Sequence, residues 1–142
     1  AHAGLPNLQA PLRIDLADPA WCPQMLEGGP TDLLAVFCAN VIHIAPWRVA
    51  EGLFAGAARY LRPGGRLFLY GPFKRDGKHT AISNAVFDTS LRERDPEWGV
   101  RDIVDLEELA AGVGLALIEA VPMPANNLIL VFERPAKGDT GA

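Results

Sequence analysis

The sequence predicts an α/β fold, a mostly parallel sheet with helices between its strands and one antiparallel strand near an edge. Three observations predict it. Two apolar runs of strand length, Leu33–Ala39 (LLAVFCA) and Arg66–Tyr70 (RLFLY), flank a segment with helical periodicity. A second helical pattern, Ile103 to Val113, separates them from two further apolar runs, Leu115–Val121 and Leu128–Glu133. Strands alternating with helices call for right-handed crossovers, which make those strands parallel, whereas the loop PMPANN between the last two is too short for a crossover and returns the chain antiparallel.

Each element has its own signal. Leu12–Leu16 (LRIDL) alternates apolar and polar residues and reads as a first strand. A turn-rich stretch, Ala17 to Pro30, follows. The unbroken apolar run Leu33–Ala39 suits a strand covered on both faces. Pro46 suits a first helical position, and Val49, Leu53, Ala57 and Leu61, broadened by Ala50, Phe54 and Ala58, make an apolar stripe that Pro63–Gly64–Gly65 ends. After Arg66–Tyr70 the chain is polar and irregular from Phe73 to about Arg101. One helix is expected there, capped by Ser83 or Asn84, with Phe87 and Leu91 a turn apart and Asp95–Pro96 as its stop. Asp102 or Asp105 caps the next helix, which carries Ile103, Leu106, Ala110 and Val113 on one face and stops at Gly114.

Composition bounds the function. The chain has 142 residues, 49% hydrophobic and 21% charged, which fits one domain with a buried core and excludes disorder as the main state. Cys22 and Cys38 are far apart and make no disulfide framework, so a reducing, cytoplasmic setting is expected. No apolar stretch reaches membrane-spanning length. With 13 Lys and Arg against 17 Asp and Glu, the net charge of −4 argues against a nucleic-acid footprint. His2, His43 and His79 are dispersed and neither Cys has a second ligand at metal-site spacing, so no metal is expected. There is no G-x-S-x-G elbow and no G-x-G-x-x-G fingerprint, and LRPGG precedes a strand instead of opening a helix as a phosphate loop would.

In open α/β sheets, ligands bind beyond the carboxyl ends of the parallel strands. That rule gathers Asp15, Asn40, His43, Tyr70, Asn126 and Asn127 on one rim. The long segment Phe73–Arg101 leaves from the same rim and reads as a lid or substrate-binding wall. Plainer roles fit the same residues. Asn40 and the Asn126–Asn127 pair suit turns, Asp15 suits a cap, Tyr70 suits the core, and His43 suits a satisfied interior histidine. The charged residues between 88 and 102 suit a solvated helix face.

The strand ending in CANVIHI, then a helix, LRPGG and RLFLYGPF, resembles the middle of a class I S-adenosylmethionine-dependent methyltransferase. The stretches IHIAPW, LYGPF, SNAVFDTSLRERDPEWGVRD and MPANNLILVF resemble the domain of unknown function 938 family, the methyltransferase-like protein 26 group, from about Gly4 to Arg134. The resemblance implies a Rossmann-like seven-stranded sheet in the order 3-2-1-4-5-7-6, with strand seven antiparallel. Leu12–Leu16 would be strand three, Leu33–Ala39 strand four, Arg66–Tyr70 strand five, and the last two runs strands six and seven. It places Asp15 and Leu16 beside the adenine of S-adenosylmethionine, and Ala39 and Asn40 beside its methionine portion. His43, Tyr70, Phe73, Asn84, Phe87, Arg92, Trp98, Arg101, Asn126 and Asn127 would face the methyl acceptor, whose identity it leaves open. It carries over no catalytic residue; His43 is the candidate base.

Strands one and two, the glycine-rich loop and the ribose-binding acid of that family pattern have no counterpart here. The expectation is therefore that residues 1–134 are the carboxyl-terminal part of a single domain, followed by a flexible tail, 135–142. The opening AHAGLPN would be a cut through the helix before strand three, and the chain alone would neither bind cofactor tightly nor fold robustly. The alternative from another class is a methyltransferase-like module used for protein interaction without catalysis. A nicotinamide-binding protein fits poorly, because of the antiparallel last strand and the MPANN loop.

Overall fold

A computed structural model describes residue 6, residues 10–21 and residues 32–136. Most of the expected turn-rich stretch with Cys22, nearly all of AHAGLPN and the end of the tail lie outside the described residues. Seven regular elements follow Asp32 in order: β1 (Leu33–Ala39), α1 (Trp47–Tyr60), β2 (Leu61–Gly71), α2 (Ile82–Arg94), α3 (Ile103–Gly112), β3 (Ala116–Met123) and β4 (Asn127–Glu133). The four strands form one sheet in the order β1-β2-β4-β3. β1 and β2 are parallel, and β4 runs antiparallel to both neighbours, β2 and β3. β3 therefore points the same way as β1 and β2, and the antiparallel strand is slotted between β2 and β3.

The core lies on one face of the sheet. Leu67 and Leu69 of β2 and Leu130 and Phe132 of β4 are buried there beneath Leu53, Phe54 and Ala57 of α1 and Ile103, Leu106 and Ala110 of α3. Phe54 and Phe132 meet edge-on with ring centroids 4.9 Å apart. Removing such side chains from water contributes about 1.5–3 kcal/mol each. The stripe expected of the first helix is the one buried. Pro46 stands one place outside it as the N-cap, without a side-chain cap bond. Asp102 caps α3 by accepting from Val104 N–H at 2.9 Å. Gly114 follows with φ 83°, a left-handed conformation that costs glycine nothing.

Three expectations fail. Leu12–Leu16 is no strand: Leu12 and Ile14 are 42% exposed, and the segment pairs with no strand among the described residues. Alternation predicts which side chains share a face, but a strand exists only where a neighbour takes its backbone hydrogen bonds. Leu33–Ala39 is a strand but is not covered on both faces, since Phe37 is 63% exposed. Its described partner is β2 alone. Finally, α2 starts after Ala81 with no side-chain cap bond, and neither Ser83 nor Asn84 caps it.

Residues 16–21 dock on α1 through two glycines. Trp21 Nε1 donates to the Gly52 carbonyl at 3.0 Å, and its indole lies where a Cβ on Gly56 would stand. Its ring also meets Tyr60 edge-on at 5.2 Å. Gly normally costs a helix about 0.5–1 kcal/mol relative to Ala, and close approach of Trp21 explains its retention. Gly56→Ala should therefore lower stability in urea by about 1–2 kcal/mol, whereas in a Trp21→Ala background the same change should raise it. Equal effects in both backgrounds would disprove the packing role.

Candidate functional site

Sheet register aligns the carboxyl ends of the parallel strands. Ala39, Tyr70, Ile129 and Val121 form one row across the four strands, and Gly71, Leu128 and Pro122 the next. Asn40 leaves β1 beside Gly71, with its N–H donating to the Tyr70 carbonyl at 2.9 Å and its φ at 60°. The turn Pro124–Asn126 closes the rim at the far side, with Ala125 and Asn126 both at φ 62°. Asn tolerates that conformation, whereas Ala pays for it.

His43 sits beneath this rim, fully buried. Its Nδ1 accepts the Arg101 N–H at 3.0 Å, so the ring proton of the neutral imidazole is on Nε2. That Nε2–H has no hydrogen-bond partner among the described residues. It points at Gly71: a Cβ there would overlap Nε2 and come within 3.3 Å of Asn40 Oδ1. A buried donor left unpaired costs on the order of 1–3 kcal/mol. Phe73 tilts against the ring at 4.8 Å. Burial, and then the charge of Arg101, push the His43 pKa down to about 4. In this geometry the Nδ1 lone pair is taken by the Arg101 N–H, and the ring offers its Nε2–H as a donor.

The long segment is built, not loose. The Arg101 guanidinium donates to the carbonyls of Ile42 (2.9 Å), Ala45 (2.6 Å) and Glu97 (2.9 Å) and lies 5.5 Å from the Trp47 ring centre. Gly99 N–H donates to the His43 carbonyl. Asp88 Oδ1 accepts from Val100 N–H (2.8 Å) and Arg92 Nε (3.0 Å), and its Oδ2 lies 3.2 Å from His79 Nε2. Burial alone would raise the Asp88 pKa; the Val100 N–H and Arg92 outweigh it and hold it below the ordinary value. Asn84 Nδ2 donates to Thr80 Oγ1 and to the Asn126 carbonyl, tying α2 to the rim turn.

The residues named from sequence thus divide. Asn40, His43 and Tyr70 come together at the ends of β1 and β2. Asn126 and Asn127 line a cleft of about 260 Å³ with Arg75, Thr80, Met123 and Leu128. Phe73 and Asn84 are buried, Arg92 is held by Asp88, Arg101 by carbonyls, and Trp98 stacks under Arg94 at 5.3 Å. Phe87 is partly exposed on α2. Asp15 caps its own turn, accepting from Ala17 N–H at 3.0 Å, with half-buried Leu16 against α1 at Gly52. Sequence reasoning missed Gly71 and the hairpin at Arg75–Lys78. The Asp76–Gly77 dipeptide was its signal.

Because the folded His43 titrates near 4 and an unfolded one near 6.5, the unfolded chain binds the extra proton first as pH falls. Stability from this residue is complete above about pH 6.5 and is lost toward pH 4, by roughly 3 kcal/mol. Urea unfolding at stepped pH should show that loss, and His43→Gln should flatten it; an unchanged slope in the variant would assign the effect elsewhere.

Solved structures share this fold. An O-methyltransferase family protein from Burkholderia thailandensis matches with a TM-score of 0.69 at 19% identity, over 88% of this chain and 35% of its own. CalO1, a methyltransferase in calicheamicin biosynthesis solved in an SAH bound form, matches at 0.60 and 18% identity, over 72% and 30%. A pericyclic reaction enzyme matches at 0.64 and 17% identity, over 84% and 29%. The chain thus spans about a third of the length of these solved chains. The family described as "Protein of unknown function (DUF938)" matches residues 1–134, and the chain belongs to it.

Proposed function

We propose that this chain forms the acceptor-side part of an S-adenosylmethionine-dependent methyltransferase. Its strands β1, β2, β4 and β3 would correspond to strands four, five, seven and six of the order 3-2-1-4-5-7-6. The observed order and the antiparallel β4 support that correspondence. So does the edge of β1 away from β2, which has no partner strand among the described residues and suits a neighbouring strand one.

One spot supports the chemistry: the buried, unpaired Nε2–H of His43, aimed at Gly71 and beside Asn40. The carboxyl ends of parallel strands are where such sheets bind ligands. S-adenosylmethionine, when bound, supplies an electrophilic methyl on a sulfonium. Ala39 and Asn40 would hold its methionine portion, and the absence of a Cβ at Gly71 makes room for the His43 ring beside it. His43 would donate Nε2–H to an oxygen of the acceptor or cofactor, and Phe73 and Arg101 would keep its ring from turning. Tyr70, Asn126 and Asn127 would face the acceptor. Methyl transfer gains chiefly from alignment of donor and nucleophile. The pericyclic reaction enzyme on the same fold supports a second reading, a relative that does not transfer methyl groups.

Transfer of the labelled methyl of S-adenosylmethionine separates the two readings, and in the methyl-transferring protein Asn40→Ala is expected to weaken cofactor binding about tenfold by calorimetric titration. In the methyl-transferring protein, His43→Ala should slow turnover with cofactor affinity intact. His43→Gln, which still carries a donor, should be closer to wild type, and the rate should show no limb near pH 4. Equal losses in both variants with a matching pH limb would mean a base after all, and unchanged turnover would remove His43.

A further inference from the structure

A small hairpin rises from the same rim. Arg75 N–H donates to the Lys78 carbonyl at 2.9 Å, and Lys78 N–H to the Arg75 carbonyl at 3.0 Å. Asp76 and Gly77 turn between them at φ 50° and 80°, the left-handed pair of a type I′ turn. The hairpin is fixed at tip and base. Gly77 N–H donates to the Asp102 carboxylate that also caps α3. Lys74 N–H donates to the Arg101 carbonyl, and Ile103 N–H to the Lys74 carbonyl, both at 3.0 Å.

Residues that exchange both hydrogen bonds across a hairpin carry their side chains on one face, with Cα atoms about 5.5 Å apart. Here both are cations, and like charges directly opposite are destabilising. Among the described residues, neither Arg75 nor Lys78 is within ion-pair distance of a carboxylate, Asp76 at the tip included. Lys74, one residue before, differs: its charge helps hold the Asp88 carboxyl below the ordinary value. The chain has 17 acidic residues against 13 basic ones, so two unpaired cations directly opposite one another do not follow from composition. Arg75 also lines the cleft of about 260 Å³ that Thr80, Met123, Asn126 and Asn127 complete. A rigid frame that forces two cations together beside a cleft is an arrangement an oxyanion would relieve.

We propose that Arg75 and Lys78 bind the anionic group of a small molecule, a carboxylate or a phosphate, whose remaining part lies in the cleft before Asn126 and Asn127. As the handle of a methyl acceptor the site rests on the methyl-transfer reading; as an anion site it does not. The test is an amide NMR titration of the full chain with sodium phosphate and, separately, sodium succinate, each against sodium chloride at equal ionic strength. Saturable shifts at Gly77, Lys78, Thr80, Asn126 and Asn127 are expected with phosphate or succinate and not with chloride; the stronger of the two identifies the group.

Arg75→Gln and Lys78→Gln should each weaken binding roughly tenfold, and the double variant should abolish it. Arg59→Gln, on α1, should leave it unchanged, and the spectra themselves report whether each variant is folded. Shifts no larger than with chloride, or insensitive to the double variant, would overturn the proposal. So would a single-stranded oligonucleotide binding these residues far more tightly than phosphate. Phosphate or succinate binding to this chain, with no methyl transfer in the turnover assay of the methyl-transferring protein, would sink methyl transfer and leave this site standing; the reverse would sink the site alone.

Discussion

The rim depends on Arg101. A long polar connection must lose much conformational freedom to lie still over a sheet edge, and buried carbonyls in the turn beneath it must find donors. Arg101 meets both demands. Its guanidinium supplies donors in a fixed fork to three carbonyls, two in the turn after β1 and one in its own segment, while lying over Trp47. Its backbone N–H holds the imidazole of His43. The same placement settles protonation. Burial, and then the charge of Arg92, hold the Arg101 pKa below its usual value, yet a guanidinium keeps its proton, so the cost falls on the neighbour that can lose one. His43 stays neutral because it is buried away from water and, second, because a permanent cation is beside it.

Much of this fold was legible because it follows from local chemistry. The apolar stripe of α1, the cap at Asp102, the stop at Gly114 and the antiparallel return after PMPANN all depend on residues within a few places of one another. The Leu12–Leu16 segment was misread because a strand is defined by its partner. The exposure of Phe37 was misread for the same reason, since a continuous apolar run does not say what covers its second face. For the site, the topological rule located the rim and put Asn40 and His43 on it. The rule could not say that His43 lies inward, that Asp88 takes up Arg92, or that Asn84 leaves capping to hold the Asn126 carbonyl. The contacts of Asn84 and His43 join residues 42 and 58 apart and are made by the tertiary fold, whereas Asp88 and Arg92 are a turn apart on α2 and were within reach of helix periodicity. The Asp76–Gly77 turn was local and readable, but its flanks are charged, not alternately apolar, which hid it.

The two ends of the sheet differ in how well they are satisfied. At the end where β2 enters the sheet, Arg66 pairs with Glu133 at 3.0 Å. There Arg134 donates to the Leu61 carbonyl, and Gly64 N–H to the Arg134 carbonyl. The left-handed residues at that end, Gly64 and Gly114, are glycines and carry no strain. At the other end, every described non-glycine residue with positive φ is collected: Asn40, Asp76, Ala125 and Asn126. So are the unpaired Nε2–H of His43 and the like-charged pair Arg75–Lys78. Backbone strain, an unmade hydrogen bond and charge repulsion are three separate costs, and no packing requirement demands that they share a location. A sequence relieved of function could remove two of them by single substitutions, glycine at 125 and a carboxylate at 78. Their convergence on the rim where parallel strands present their carboxyl ends supports the functional role proposed for that rim on physical grounds that the likeness to solved methyltransferases does not supply.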